Sequence, residues 1–86
     1  MKNIIIYSSY NCGYCELAKS LLDSLNYQYH EINIQEIPDK RDEMLRKSNG
    51  RRTVPQIFIS DLHVGGYEEL NRLHLKGKLT ELINEN

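Results

Sequence analysis

The chain has no tryptophan, one phenylalanine, two prolines and two cysteines among its 86 residues. Five glycines and two prolines are too few for a collagen-like or low-complexity chain. An excess of charge of one sign is also missing. Eleven Lys and Arg stand against 12 Asp and Glu, a net charge of −1. Proteins that live on nucleic-acid phosphates are usually far more basic, so no nucleic-acid partner is expected. No apolar run approaches the roughly 18 residues that a bilayer span needs. The first residues offer one Lys and then only Ile4-Ile5-Ile6, short of a signal-peptide apolar region. The expectation is a soluble, cytoplasmic protein with no membrane partner. What is present, 40% hydrophobic and 27% charged residues, is ordinary for a folded protein, and the length leaves room for one domain, residues 1–86.

The two cysteines are Cys12 and Cys15, in the order Cys-Gly-Tyr-Cys. A disulfide that staples a fold gains most by closing a long loop, and this pair closes almost none. A zinc site would need two more Cys or His at suitable spacing. His30, His63 and His74 form no His-x3–5-His pair. Redox use is therefore the better reading of the pair.

Hydrophobic spacing predicts the element order β-α-β-α-β-β-α-α. Lys2 to Ser8 reads as a central strand, because Ile4, Ile5, Ile6 and Tyr7 are apolar without alternation. Asn11 is the expected N-cap of a helix over about residues 13–25, with Leu17, Ala18, Leu21, Leu22 and Leu25 on its inner face and Asn26 as its stop. Tyr27 to Ile34 reads as a second strand. A second helix starts near Pro38, turns Met44 and Leu45 inward and ends near Gly50. Gln56 to Ser60 and His63 to Gly65 read as two strands joined at Asp61-Leu62 in an antiparallel hairpin. Glu68 to Lys76 is a helix with Leu70, Leu73 and His74 on one face, and Gly77 separates it from a last short helix carrying Leu79, Leu82 and Ile83. The strand–helix–strand unit at the start implies a parallel pair. The fold class is α/β: a four-stranded mixed sheet with helices on both faces.

Cys12 falls at the junction of a strand and a helix. First-turn N–H groups without intrahelical partners point at its sulfur, and the helix dipole adds positive potential. Thiols in such Cys-x-x-Cys positions have pKa values lowered to roughly 3.5–7.5. Cys15, one turn further in, should be less exposed. The expected division of labour is Cys12 as attacking thiolate and Cys15 as resolving thiol.

Three stretches carry a family resemblance: Ile6-Tyr7 with Cys12-Gly13-Tyr14-Cys15, Thr53-Val54-Pro55-Gln56-Ile57-Phe58-Ile59, and Gly65-Gly66-Tyr67-Glu68-Glu69-Leu70. In this order and at these separations they resemble a small bacterial dithiol glutaredoxin over nearly the whole chain. The resemblance implies a thioredoxin-like fold and glutathione-dependent exchange of disulfides. It implies a cis Val54–Pro55 bond, with the Val54 backbone turned toward an extended peptide as a strand would be. Glutathione is such a peptide. Gly66, Tyr67 and Glu68 would hold its γ-glutamyl end by backbone N–H groups at a helix start. Glu68 and Glu69 stand where the family usually has Asp; they read equally as ligand contacts or as carboxylates stabilised by the helix dipole. Lys40, Arg41, Arg46, Lys47, Arg51 and Arg52 read mostly as a solvated face. One of Arg51 and Arg52, the latter adjoining Thr53, would meet the glycine carboxylate of glutathione, since Ser9 replaces the Lys that many members carry before the first cysteine. Gln56 is read as a polar group near the same rim, and Tyr14 as a flank of the sulfur. The resemblance implies no required cofactor, glutathione as electron donor, and a monomer whose clients are protein disulfides or glutathionylated proteins, a ribonucleotide reductase among them. Two alternatives accompany it. One is a redoxin served by thioredoxin reductase. The other is a 2Fe–2S cluster held between two subunits by Cys12 and glutathione, for which Gly13 replaces the family's usual proline.

Overall fold

In the computed structural model, which describes residues 1–85, β1 (Ile4–Ser8) lies inside a four-stranded sheet of order β2-β1-β3-β4. It pairs in parallel with β2 (His30–Asn33) and antiparallel with β3 (Gln56–Ile59). The hairpin partner of β3 is β4 (Leu62–Gly65), with an irregularity in the register between Ile57 and Phe58. Four helices complete the order: α1 (Gly13–Ser24), α2 (Asp39–Lys47), α3 (Tyr67–Leu75) and α4 (Leu79–Asn84). The expected fold class and element order are those observed.

Alternation along β1 and β3 separates two cores, because successive strand residues point to opposite faces. Ile4 and Ile6 with their partners Ile59 and Ile57 face α1, α3 and α4, and pack with Ala18, Leu22, Leu70, Leu79 and Ile83. Tyr7 and Phe58 face the other way and pack with Ile34 and with Met44 of α2. The unbroken apolar run of β1 is thus explained: helices cover both sides. The second core is smaller and carries a polar handle. The Tyr7 hydroxyl donates to Glu43 at 2.5 Å, and burial with this carboxylate pushes the phenol well above its usual range.

Local endings follow the expected chemistry in part. Asn26 takes φ 62°, and the bonds Asn26 N–H to Asp23 O and Tyr27 N–H to Leu22 O, both 3.0 Å, close α1 in a Schellman arrangement. The start of α1 differs from expectation. Cys12, not Asn11, is the N-cap, and Asn11 instead adopts φ 54°, a left-handed conformation that asparagine tolerates. The second strand is shorter than expected, since Tyr27 and Tyr29 reach the larger core from a loop rather than from the ladder. Leu17 stays 48% exposed because Ala18 and Leu22 already fill the seam between α1 and the sheet. Leu45 is only half-buried, since Met44 occupies the place under α2. The last described helix, α4, is tied to the N-terminus by Lys2 N–H donating to Ile83 O at 2.8 Å.

Candidate active site

Cys12 and Cys15 are joined as a disulfide, with Cα atoms 5.2 Å apart. Their environments differ although they share one helical turn. Cys15 is wholly buried, whereas Cys12 is partly exposed. The Sγ of Cys12 accepts the N–H of Cys15 at 3.1 Å, the bond a Ser or Asp side chain makes at an ordinary N-cap. The cap role therefore falls on the sulfur itself. In the reduced protein the same geometry favours a thiolate at Cys12, since an anion at a helix start gains from orphan N–H groups and from the dipole.

The second half of the site comes from distant segments. The Val54–Pro55 bond is cis, as expected. The Val54 carbonyl oxygen lies 3.8 Å from the Cys12 sulfur. Beside it opens a groove of about 260 Å³ lined by Tyr14, Arg51, Thr53, Val54, Pro55, Gly66, Tyr67, Glu68 and Glu69. All nine were singled out in the sequence, Arg51 as one of an arginine pair and Glu69 as a carboxylate with two readings. Tyr14 and Tyr67 stack across one end, ring centroids 6.2 Å apart and planes 26° from parallel. Arg52 is exposed and lies outside the lining; Arg51, its neighbour, is within it.

Glu69 does three things at once. As the third residue of α3 it accepts the N–H of the cap residue Gly66 at 3.0 Å, one half of a capping box. It also receives the Arg51 guanidinium at 3.2 Å, which ties the segment before Thr53 to the start of α3. The Gly66 N–H bond, followed by the Arg51 contact, holds this carboxyl below its usual range against the opposing effect of burial. Finally, its side chain occupies the space beside Gly65. A Cβ on Gly65 would lie 2.4 Å from Glu69 Oε1, and the residue has φ +116°, so glycine is required there. Gly66 is less constrained: a Cβ would meet the Pro55 carbonyl at 3.5 Å and Glu69 Oε1 at 3.9 Å.

Gln56 departs from expectation. It is wholly buried behind the groove, not at its rim. Its amide Nε2 donates to the Thr53 carbonyl at 3.0 Å and to Thr53 Oγ1 at 3.2 Å, and its Oε1 lies 2.7 Å from His63 Nε2. His63 was not marked by the sequence as part of any site. A histidine on a short strand facing an apolar one was the only available signal. Among the described residues no group of three or more His, Cys, Asp or Glu could hold a metal ion. No helix among them is long and apolar enough to cross a membrane.

A half-exposed sulfur at a helix cap, a buried partner one turn away and a peptide-sized groove beside them suit thiol–disulfide exchange. Comparisons with known proteins point to one family. Residues 4–64 match the family model described as glutaredoxin. The chain is 42% identical over 84 residues to glutaredoxin 1 of Rickettsia prowazekii, covering 96% of this chain and 88% of that one. It is 43% identical over 83 residues to glutaredoxin 3 of Escherichia coli K12, covering 96% and 99%. A buckwheat glutaredoxin solved as its glutathione complex superposes with a TM-score of 0.87 at 32% identity, covering 98% of this chain and 78% of that one. With the family's fold, its paired cysteines at a helix start and its match over most of the length, this chain belongs to the glutaredoxins, a family of thiol–disulfide oxidoreductases.

Proposed function

We propose that this protein uses glutathione to reduce protein disulfides and protein–glutathione mixed disulfides, with Cys12 as nucleophile and Cys15 as resolving thiol. One observation carries the reading: Cys12 Sγ caps α1, 3.1 Å from an N–H donor, at the edge of a groove fit for a short peptide, while Cys15 lies buried behind it. In the reduced protein the Cys12 thiolate attacks the glutathione-side sulfur of a mixed disulfide. The client sulfur leaves as a thiolate and takes a proton from solvent. Cys12 then carries glutathione, and a second glutathione thiolate attacks that adduct, releasing oxidised glutathione and restoring Cys12. With a protein disulfide, Cys12 instead attacks one client sulfur and the other leaves as a thiolate; Cys15 then attacks Cys12 Sγ, the second client thiolate leaves, and two glutathiones reduce the resulting Cys12–Cys15 disulfide, releasing oxidised glutathione.

The groove supplies orientation. Val54 presents backbone groups to an extended glutathione, Gly66, Tyr67 and Glu68 offer the start of α3 to its γ-glutamyl carboxylate, and Tyr14 bounds the sulfur. Arg51 lines the groove and Arg52 does not, which favours Arg51 as the cation for the glycine carboxylate. A single chain contains every element of this site, so a monomer suffices. The chemistry requires no resident cofactor. The 2Fe–2S alternative needs four soft ligands, and with Cys15 buried one chain offers only the Cys12 thiolate, so that reading requires a second subunit and two glutathiones. The reducing cytoplasm, where glutathione keeps thiols reduced, is the compartment that suits this cycle. The test is a coupled assay: turnover of a glutathionylated substrate with glutathione and glutathione reductase, set beside turnover with thioredoxin reductase. Activity with the first donor and none with the second is expected. The reverse pattern would overturn the glutathione assignment.

A further inference from the structure

Behind the groove a chain of side chains runs from β4 to the segment that faces Cys12. The Thr53 carbonyl can only accept, so the nitrogen of the Gln56 amide must face it. That fixes Oε1 toward His63, and a bond of 2.7 Å then requires His63 to donate through an Nε2–H. The imidazole lies against Phe58, centroids 4.8 Å apart and planes 24° from parallel, which holds the ring in one orientation. Burial, and after it the charge of Arg51, lower the His63 pKa, with Glu69 acting in the opposite direction. Among the described residues no buried side-chain nitrogen or oxygen lacks a partner, so the Gln56 amide is satisfied only if His63 serves it. An unpartnered amide oxygen in this place would carry the desolvation cost of a lost bond.

We infer that His63 is a positioning residue for glutathione binding: through the buried Gln56 amide it fixes Thr53 and hence the Val54 backbone beside Cys12. The inference rests on the glutathione reading and adds to it a residue on the far side of the β3–β4 hairpin. His63 is not among the residues that line the groove. Its effect belongs in the affinity for glutathione rather than in the reactivity of Cys12.

The informative substitution is His63→Phe, which keeps a flat ring on Phe58 and removes the donor. We expect the apparent KM for glutathione to rise about three- to tenfold, the scale of one lost net hydrogen bond, with kcat changed less than about twofold. His63→Gln, whose amide nitrogen stands near the place of Nε2, should restore the wild-type KM. Gln56→Met should reproduce the His63→Phe effect, and the double variant should be no worse than either single one, because both cut the same chain. A KM unchanged in His63→Phe, a His63→Gln variant no better than His63→Phe, or additive effects in the double variant would overturn the inference. A second readout does not depend on turnover: the amide resonances of Thr53 and Val54 should shift in His63→Phe and return in His63→Gln. If the wild type shows no glutathione-dependent activity, the functional reading fails, and these resonances alone decide whether His63 positions the loop. Resonances that stay in place would reject it.

Discussion

The two halves of the site are built in opposite ways. The sulfur half is four consecutive residues on one turn of α1, and its decisive bond, Cys15 N–H to Cys12 Sγ, spans three positions. The groove half joins residues 51–55 to residues 66–69, and its tie, Arg51 to Glu69, spans 18. The geometry of the first half is complete as soon as the helix forms. The second exists only after β3, β4 and α3 have assembled. Chemistry should therefore fail at single residues of the first half, whereas affinity should decline by degrees as contacts are lost from the second.

The largest expected effect is at Cys12. Cys12→Ser should reduce every glutathione-coupled activity to background, because an alcohol in that position is not ionised at neutral pH. Cys15→Ser should keep substantial deglutathionylation and lose the reduction of protein disulfides. Full activity in Cys12→Ser, measured in the coupled assay, would reverse the assignment of the nucleophile.

Next comes the seat of α1. Leu22 is wholly buried in the larger core. Leu22→Ala should cost about 2–5 kcal/mol of stability, read from a urea titration. At the sulfur the helix start would persist, so thiolate reactivity in the fraction that remains folded should change little. A loss of reactivity larger than the loss of folded protein would show that the sulfur half is not local after all.

The groove should yield smaller changes. Arg51→Ala is expected to raise the apparent KM for glutathione severalfold, and Arg52→Ala less than about twofold, since exposed ion contacts are individually weak. Equal effects of the two substitutions would mean that the charge of the pair, not the position of Arg51, matters.

The smallest effect is on the acid side. The Gly66 N–H and Arg51 hold Glu69 charged in the folded protein, so its pKa lies below that of the unfolded chain. As the pH falls, the unfolded chain takes up the proton first. The stabilisation is present above the unfolded value of about 4.3 and is lost below it. Glu31, held charged by Ser8 and Lys19, and Glu43, held by Tyr7 and Lys40, act in the same direction. Melting curves between about pH 5 and pH 3 should show a smaller decline in Tm for Glu69→Gln than for the wild type. An identical decline would place the acid sensitivity on the other two carboxylates.

Much of the larger frame was legible in the residues. The apolar run Ile4–Tyr7 announced a strand covered on both sides, and the short link after β3 a hairpin, although its turn is Ser60-Asp61 and Leu62, read as part of the turn, already pairs with Ile59. Boundaries were less legible. Tyr27 and Tyr29 look like strand residues because aromatic side chains favour sheets, but here the core claims their rings without the ladder claiming their backbone. Asn11 is a good cap by type, yet the chain enters α1 one residue later and leaves the role to sulfur. The cysteine pair and the three segments around the groove could be named from the sequence, since their chemistry is carried by residue type and spacing.

By itself the sequence placed the cysteine pair at a helix start, because residue type and spacing carry that much; that Cys12 rather than Asn11 caps α1 was left to the structure. Tertiary structure decided everything that depends on orientation across the sheet: that Arg51 rather than Arg52 enters the groove, that Glu69 closes on Gly66, and that Gln56 turns inward to His63. Neighbouring residues on an irregular segment differ by a rotation that no composition encodes, and only the packing of β3 against β4 and α3 selects which side chain is buried and which faces the groove.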